Sequence, residues 1–73
     1  MNRRDQVYSI IADKMYVETD ELNDDTTLQD DLGVDSFDML EIIIELETVF
    51  KMDIPDDARN VKTVGDLVKL VEV

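Results

Sequence analysis

The chain has 73 residues, seven basic and nineteen acidic, for a formal net charge of −12, with no histidine and no cysteine. Without cysteine there are no disulfides and no zinc–thiolate sites, and without histidine there is no Ser-His or Cys-His nucleophile pair. A chain this short makes one domain, residues 1–73, near the lower end of what a hydrophobic core alone can hold.

The charge is concentrated. Val17 to Asp57 holds fifteen acids against one base, Lys51, while the segments before and after each carry +1. A field of that sign repels phosphate backbones and anionic headgroups, which argues against nucleic acid and membrane surfaces and points to a basic protein partner. No apolar run approaches the roughly 20 residues of a membrane span, and no signal-peptide core follows the N-terminus. A soluble cytoplasmic protein is the expectation.

In chain order, Val7, Ile10, Ile11 and Met15 form an i, i+3, i+4 stripe that predicts a helix over about residues 3–16. Val17 to Asp35 is polar and aperiodic. That is long for a loop in so small a domain, so it should be pinned, and Leu22, Leu28 and Leu32 are the pins. Met39, Ile42, Ile43, Leu46, Val49 and Phe50 make a second helical stripe. Ile54-Pro55-Asp56-Asp57 reads as a short helix start, with Pro55 at the first position and two acids suiting the dipole. Thr63 caps a last helix carrying Val64, Leu67, Val68 and Val71. The outcome is an all-α four-helix bundle with a long first loop and a short third helix.

Gly33-Val34-Asp35-Ser36-Phe37-Asp38 stands at the start of the second stripe. Serine is a common N-cap, but Asp35 is at least as good, and capping from Asp35 places Asp38 in the first turn, where a carboxylate suits the dipole. Ser36 is then free of structural work, exposed at a helix N-terminus where amides and dipole also tolerate a phosphate. A calcium loop starting at Asp30 fails: Leu32 and Val34 fall on ligand positions and Asp35 where glycine is required. No metal site is expected.

Stepping about 100° per residue from Ser36 puts the stripe residues between about 220° and 340°, facing the core. Asp38, Glu41, Glu45 and Thr48 fall on the solvated side. Phe37, Leu40 and Ile44 form a second apolar strip beside Ser36, rimmed by Asp38, Glu41 and Glu47. The strip either packs under the long loop or forms a docking surface with an acidic rim, and the angles leave both open.

Several runs resemble the acyl carrier proteins: Asp31-Leu32-Gly33-Val34-Asp35-Ser36, the Glu41 and Glu47 spacing, the Phe50…Ile54-Pro55-Asp56 turn and Val61-Lys62-Thr63-Val64-Gly65-Asp66-Leu67. The resemblance covers nearly the whole chain. It implies a discrete (type II) carrier, monomeric and not an enzyme, holding acyl intermediates as thioesters. The cofactor would be a covalent 4′-phosphopantetheine arm from coenzyme A, on Ser36. Asp35 and Asp38 would help the holo-carrier synthase, a phosphopantetheinyl transferase, and its magnesium ion to engage the loop. The same match makes the Ser36 helix the face recognised by basic acyl-transfer and fatty-acid-synthesis enzymes, through Phe37, Asp38, Leu40, Glu41, Ile44 and Glu47. It suggests an acyl cavity near Ile44, Leu46, Ile54 and Val61. Phe37 where leucine is usual, Glu45 where a small residue is common, and the bulky Met39-Leu40 pair depart from the pattern. Fatty acid synthesis is the first reading. D-alanyl, polyketide or another acyl pathway is the second, and an unmodified acidic interaction module the competing class.

Overall fold

In a computed structural model of the protein, residues 2–72 are described. Three α-helices, α1 (Arg3–Met15), α2 (Ser36–Phe50) and α3 (Val64–Val71), are joined by segments holding two 3₁₀ turns, Thr19–Glu21 and Asp56–Arg59. Among the described residues there is no strand, only an isolated antiparallel bridge between Thr27 and Thr63.

Each helix starts where its sequence supplies a cap. Asn2 accepts the Asp5 N–H, Asp35 the Asp38 N–H and Thr63 the Asp66 N–H, and the last two are reciprocal capping boxes that satisfy amides a helix cannot bond internally. The first two helices end on left-handed residues, Tyr16 (φ 59°) and Lys51 (φ 53°). The expected short third helix is a single 3₁₀ turn. Four residues are too few to repay α-nucleation, and the Arg59 side chain donates to the Ile54 carbonyl at 3.3 Å, bracing the turn from outside its ladder.

The core is one cluster. Val7, Ile11 and Ala12 of α1 meet Ile42, Ile43 and Leu46 of α2 and Val64, Leu67, Val68 and Val71 of α3, and Leu22, Leu28, Val34 and Ile54 enter from the connecting segments. Two pins predicted in the long loop, Leu22 and Leu28, are buried, and Leu32 packs half-buried against the cluster. Val49 is 39% exposed rather than in the core, because at about 220° it lies on the edge of the stripe nearest the polar face.

The loop is further fixed from α3. Leu28 N–H donates to the Lys62 carbonyl at 2.9 Å, Val64 N–H to Thr26 at 3.0 Å and Gly65 N–H to Asp24 at 3.0 Å. A β-carbon on Gly65 would sit 3.0 Å from the Asp24 carbonyl oxygen, so glycine is what lets the two backbones approach.

Candidate functional site

The turn leading into α2 is built from short-range bonds. Thr27 and Asp31 bond reciprocally, each backbone N–H to the other's side chain, at 2.9 and 3.0 Å. Gly33 N–H donates to Gln29 at 3.0 Å and Val34 N–H to Leu28 at 2.8 Å. Gly33 adopts φ +71° with open space where a β-carbon would be, so its conformation, not crowding, calls for glycine. Val34 is then buried, and Asp35 runs extended into the helix.

Asp35 is the N-cap, as the sequence suggests. Its Oδ1 accepts the Asp38 N–H at 2.8 Å, and Asp38 Oδ2 accepts the Asp35 N–H at 3.4 Å. Ser36, the first residue of α2, is exposed and takes no part in this box. Among the described residues the backbone amides of Ser36 and Phe37 find no backbone acceptor, as expected for the first turn of a helix. The carboxylates flanking Ser36 are thus spent partly on the helix's own amides, while the hydroxyl and two amides face outward.

The apolar strip is not covered by the long loop. Phe37 is 67% exposed, Leu40 45% and Ile44 51%, and Glu41 is exposed beside them. Of the predicted rim, Asp38 is half-buried in its capping role. Glu47 is committed inward. One carboxylate oxygen accepts the Ile54 N–H at 2.9 Å and the other lies 3.7 Å from Arg59, which pairs at 3.3 Å with Asp56. Both side chains are about three-quarters buried, and the Nε of Arg59 is buried without a partner among the described residues. This clasp holds the Met52–Arg59 segment to α2. It was not legible in the sequence, because Glu47 and Arg59 meet only once the intervening chain has turned back.

The four acyl-cavity candidates do not all come together. Leu46 and Ile54 are packed in the core and Val61 lies half-buried against it, but Ile44 points outward on the strip. Its angle, opposite the core stripe, is the physical reason.

Sequence reasoning also missed the hub of the long loop. Asp24 accepts from the Tyr8 hydroxyl at 2.6 Å and from Arg4 at 2.6 Å, and Arg4 stacks 5.1 Å over the Tyr8 ring. The Tyr8 hydrogen bond and then the Arg4 guanidinium hold the Asp24 carboxyl below its usual range. Burial first, and then the bond to Asp24, push the Tyr8 phenol up to about 12. The Asp66 carboxyl is held low by the backbone N–H groups of Lys62 and Thr63. Among the described residues no three acids cluster with metal-binding geometry, and no helix is long and apolar enough to cross a membrane.

Residues 5–71 match the family model of the phosphopantetheine attachment site. The fold superposes with a TM-score of 0.90 on a candidate acyl carrier protein from Mycobacterium tuberculosis, 30% identical over 96% of this chain and 95% of that one. An acyl carrier protein from Enterococcus faecalis matches at a TM-score of 0.80 and 32% identity, over 97% and 95% of the two chains. The chain therefore belongs to the phosphopantetheine-binding acyl carrier family. It is a carrier rather than an enzyme, and its cofactor is the covalent phosphopantetheine that defines the family. The residues present suit that group. They offer an exposed hydroxyl with unpaired amides beside it, as a phosphate ester needs, and the chain has no thiol of its own.

Proposed function

We propose that Ser36 is the attachment serine, and that residues 1–73 act as a single discrete acyl carrier unit, a cytoplasmic monomer of a type II system, in fatty acid synthesis first. The observation that carries this is the division of labour at the start of α2: Asp35 caps, so the Ser36 hydroxyl is left exposed and unused. Coenzyme A is the donor, and the arm supplies the thiol on which an acyl group rides as a thioester. The protein's own part is to present that hydroxyl on a rigid turn, to keep an anion-tolerant helix N-terminus under the phosphate, and to offer the α2 face to enzymes that load and unload the arm. Asp35 and Asp38 each retain carboxylate capacity beyond the capping box for a magnesium-bearing transferase. Phe37, Leu40 and Ile44 form the apolar centre of the docking face, and Glu41 is its freest rim charge. Glu47 contributes to that face only at the expense of its bonds to Ile54 and Arg59.

Incubation with coenzyme A, magnesium and a broad-specificity transferase should add one phosphopantetheine by intact mass. Ser36→Ala should accept none while keeping its helical circular dichroism. Retained loading in that variant would place the arm on Ser9, the only other serine, and would sink the reading. Phe37 after the serine supports a D-alanyl or other specialised pathway as the second reading. The intact mass of the protein isolated from its own cell, acyl group attached, separates the two.

A further inference from the structure

A groove of about 520 Å³ runs between the turn before Ser36 and the segment before α3, lined by Thr27, Gln29, Asp30, Asn60, Val61 and Lys62. Neither the capping of α2 nor its docking face uses it. Its lining is chemically mixed: two primary amides on exposed side chains, a hydroxyl, one half-buried branched aliphatic, an exposed carboxylate, and a lysine, neither of the last two forming an ion pair among the described residues.

We propose that this groove is the resting site of the protein's own pantetheine arm when no partner enzyme is bound. The inference rests on Ser36 being the attachment serine. Place, reach and chemistry support it. The groove wall is bonded directly to the serine turn, Gln29 carbonyl to Gly33 N–H at 3.0 Å and Leu28 carbonyl to Val34 N–H at 2.8 Å. Val34 to Ser36 is two residues of extended chain, at most about 7 Å. A straight arm reaches about 16 Å from phosphorus to sulfur at ordinary bond lengths, so a groove whose wall is bonded to Gly33 and Val34 lies within its reach.

Beyond its phosphate the arm is neutral: two secondary amides, one hydroxyl and a gem-dimethyl carbon. Gln29 and Asn60 can each donate to and accept from an amide, and Val61 offers the apolar contact the gem-dimethyl group needs. The second wall is held in register by Leu28 N–H to the Lys62 carbonyl at 2.9 Å, so the groove is fixed before the arm arrives. The exposed strip of α2 is left free for a partner while the arm is parked.

The test is nuclear magnetic resonance on the apo protein and on the holo protein made with coenzyme A and transferase, with loading at Ser36 followed separately by intact mass. Resting in the groove predicts that the side-chain NH₂ signals of Gln29 and Asn60 and the Val61 methyls shift on loading. The arm's gem-dimethyl protons should show a nuclear Overhauser effect to Val61. Gln29→Glu with Asn60→Asp removes both donors at exposed positions, so the fold should hold while those effects collapse and the arm's lines narrow. Full loading with no shift at these residues, or with Overhauser contacts to Phe37, Leu40 and Ile44 instead, overturns the groove and leaves the attachment reading standing. An arm that still loads onto Ser36→Ala overturns both.

Discussion

The loop from Val17 to Asp35 and the helix α2 that follows it are opposites. The loop has almost no regular structure, yet it buries Leu22, Thr26, Leu28 and Val34 and is bonded to both α1 and α3. The helix is fully regular, yet it shows Phe37, Leu40 and Ile44 to solvent. Regular backbone and commitment to the core are thus separate properties here. The irregular segment shares in holding the fold, and the regular one, besides its core stripe, leaves an apolar face exposed.

The largest effect should come from removing a loop pin. Leu28 is fully buried, so Leu28→Ala should cost about 2–5 kcal/mol, a large share of a small domain's stability. Chemical denaturation measures it, and a loss no bigger than that of an exposed α2 residue would mean that the loop is not structural.

The hub on the same loop, together with Asp66 of α3, predicts both pH limits. Asp24 and Asp66 are held below their ordinary 3.8. Their contribution is present above that value and is lost as pH falls through the lower folded value. Tyr8 is raised from 10.0 to about 12, so its contribution is present below pH 10 and is lost as pH climbs toward 12. Melting temperature against pH should fall on both sides, and Tyr8→Phe should remove the alkaline fall while also softening the acid one, because the Tyr8 hydroxyl is the larger cause of the low Asp24 carboxyl. An unchanged alkaline limb in that variant would detach the hub from loop stability.

Charge sharpens the contrast from another side. Three ion pairs occur among the described residues, using only Arg4 and Arg59, against fifteen acids between Val17 and Asp57. Repulsion is therefore largely uncompensated, and added sodium or magnesium chloride should raise the melting temperature by screening it. A flat salt series would show compensation that the ion pairs do not supply.

The smallest stability effect belongs to the strip. Phe37→Ala should change folding stability by no more than about 0.5 kcal/mol, as exposed sites do, while speeding dissociation from the transferase. Glu41→Lys should instead slow association and flatten its salt dependence. Stopped-flow kinetics separates the two, and a melting temperature many degrees lower for Phe37→Ala would return that ring to the core.

The parts of this architecture legible in sequence were those set locally. Asp35 and Thr63 announce helix starts because capping needs only residues three apart. The stripe through Ile42, Ile43 and Leu46 follows from helical angle alone. What escaped was long-range or marginal. The Tyr8–Asp24–Arg4 hub joins residues sixteen and twenty apart, and Glu47 looked like a rim charge until Arg59 folded back onto it. Val49 sat at the edge of a stripe, where small differences in neighbouring elements decide exposure. The exposure of Ser36 was readable because a cap at least as good stands beside it. The groove at Gln29 and Asn60 was not, since its walls lie about thirty residues apart.

The bridge between Thr27 and Thr63 also bears on how the molecule is made. Contacts that close long stretches of chain form late, after local helices, because the loop entropy must be met first. The turn before Ser36 hangs from Leu28, and Leu28 hangs from the Lys62 carbonyl. A ribosome therefore releases Ser36 well before the residues that fix its approach. On a growing chain the serine is present as a residue before it is present as a shape, and on the proposed reading of Ser36 an enzyme that reads the shape must wait until the chain through Val64 has emerged.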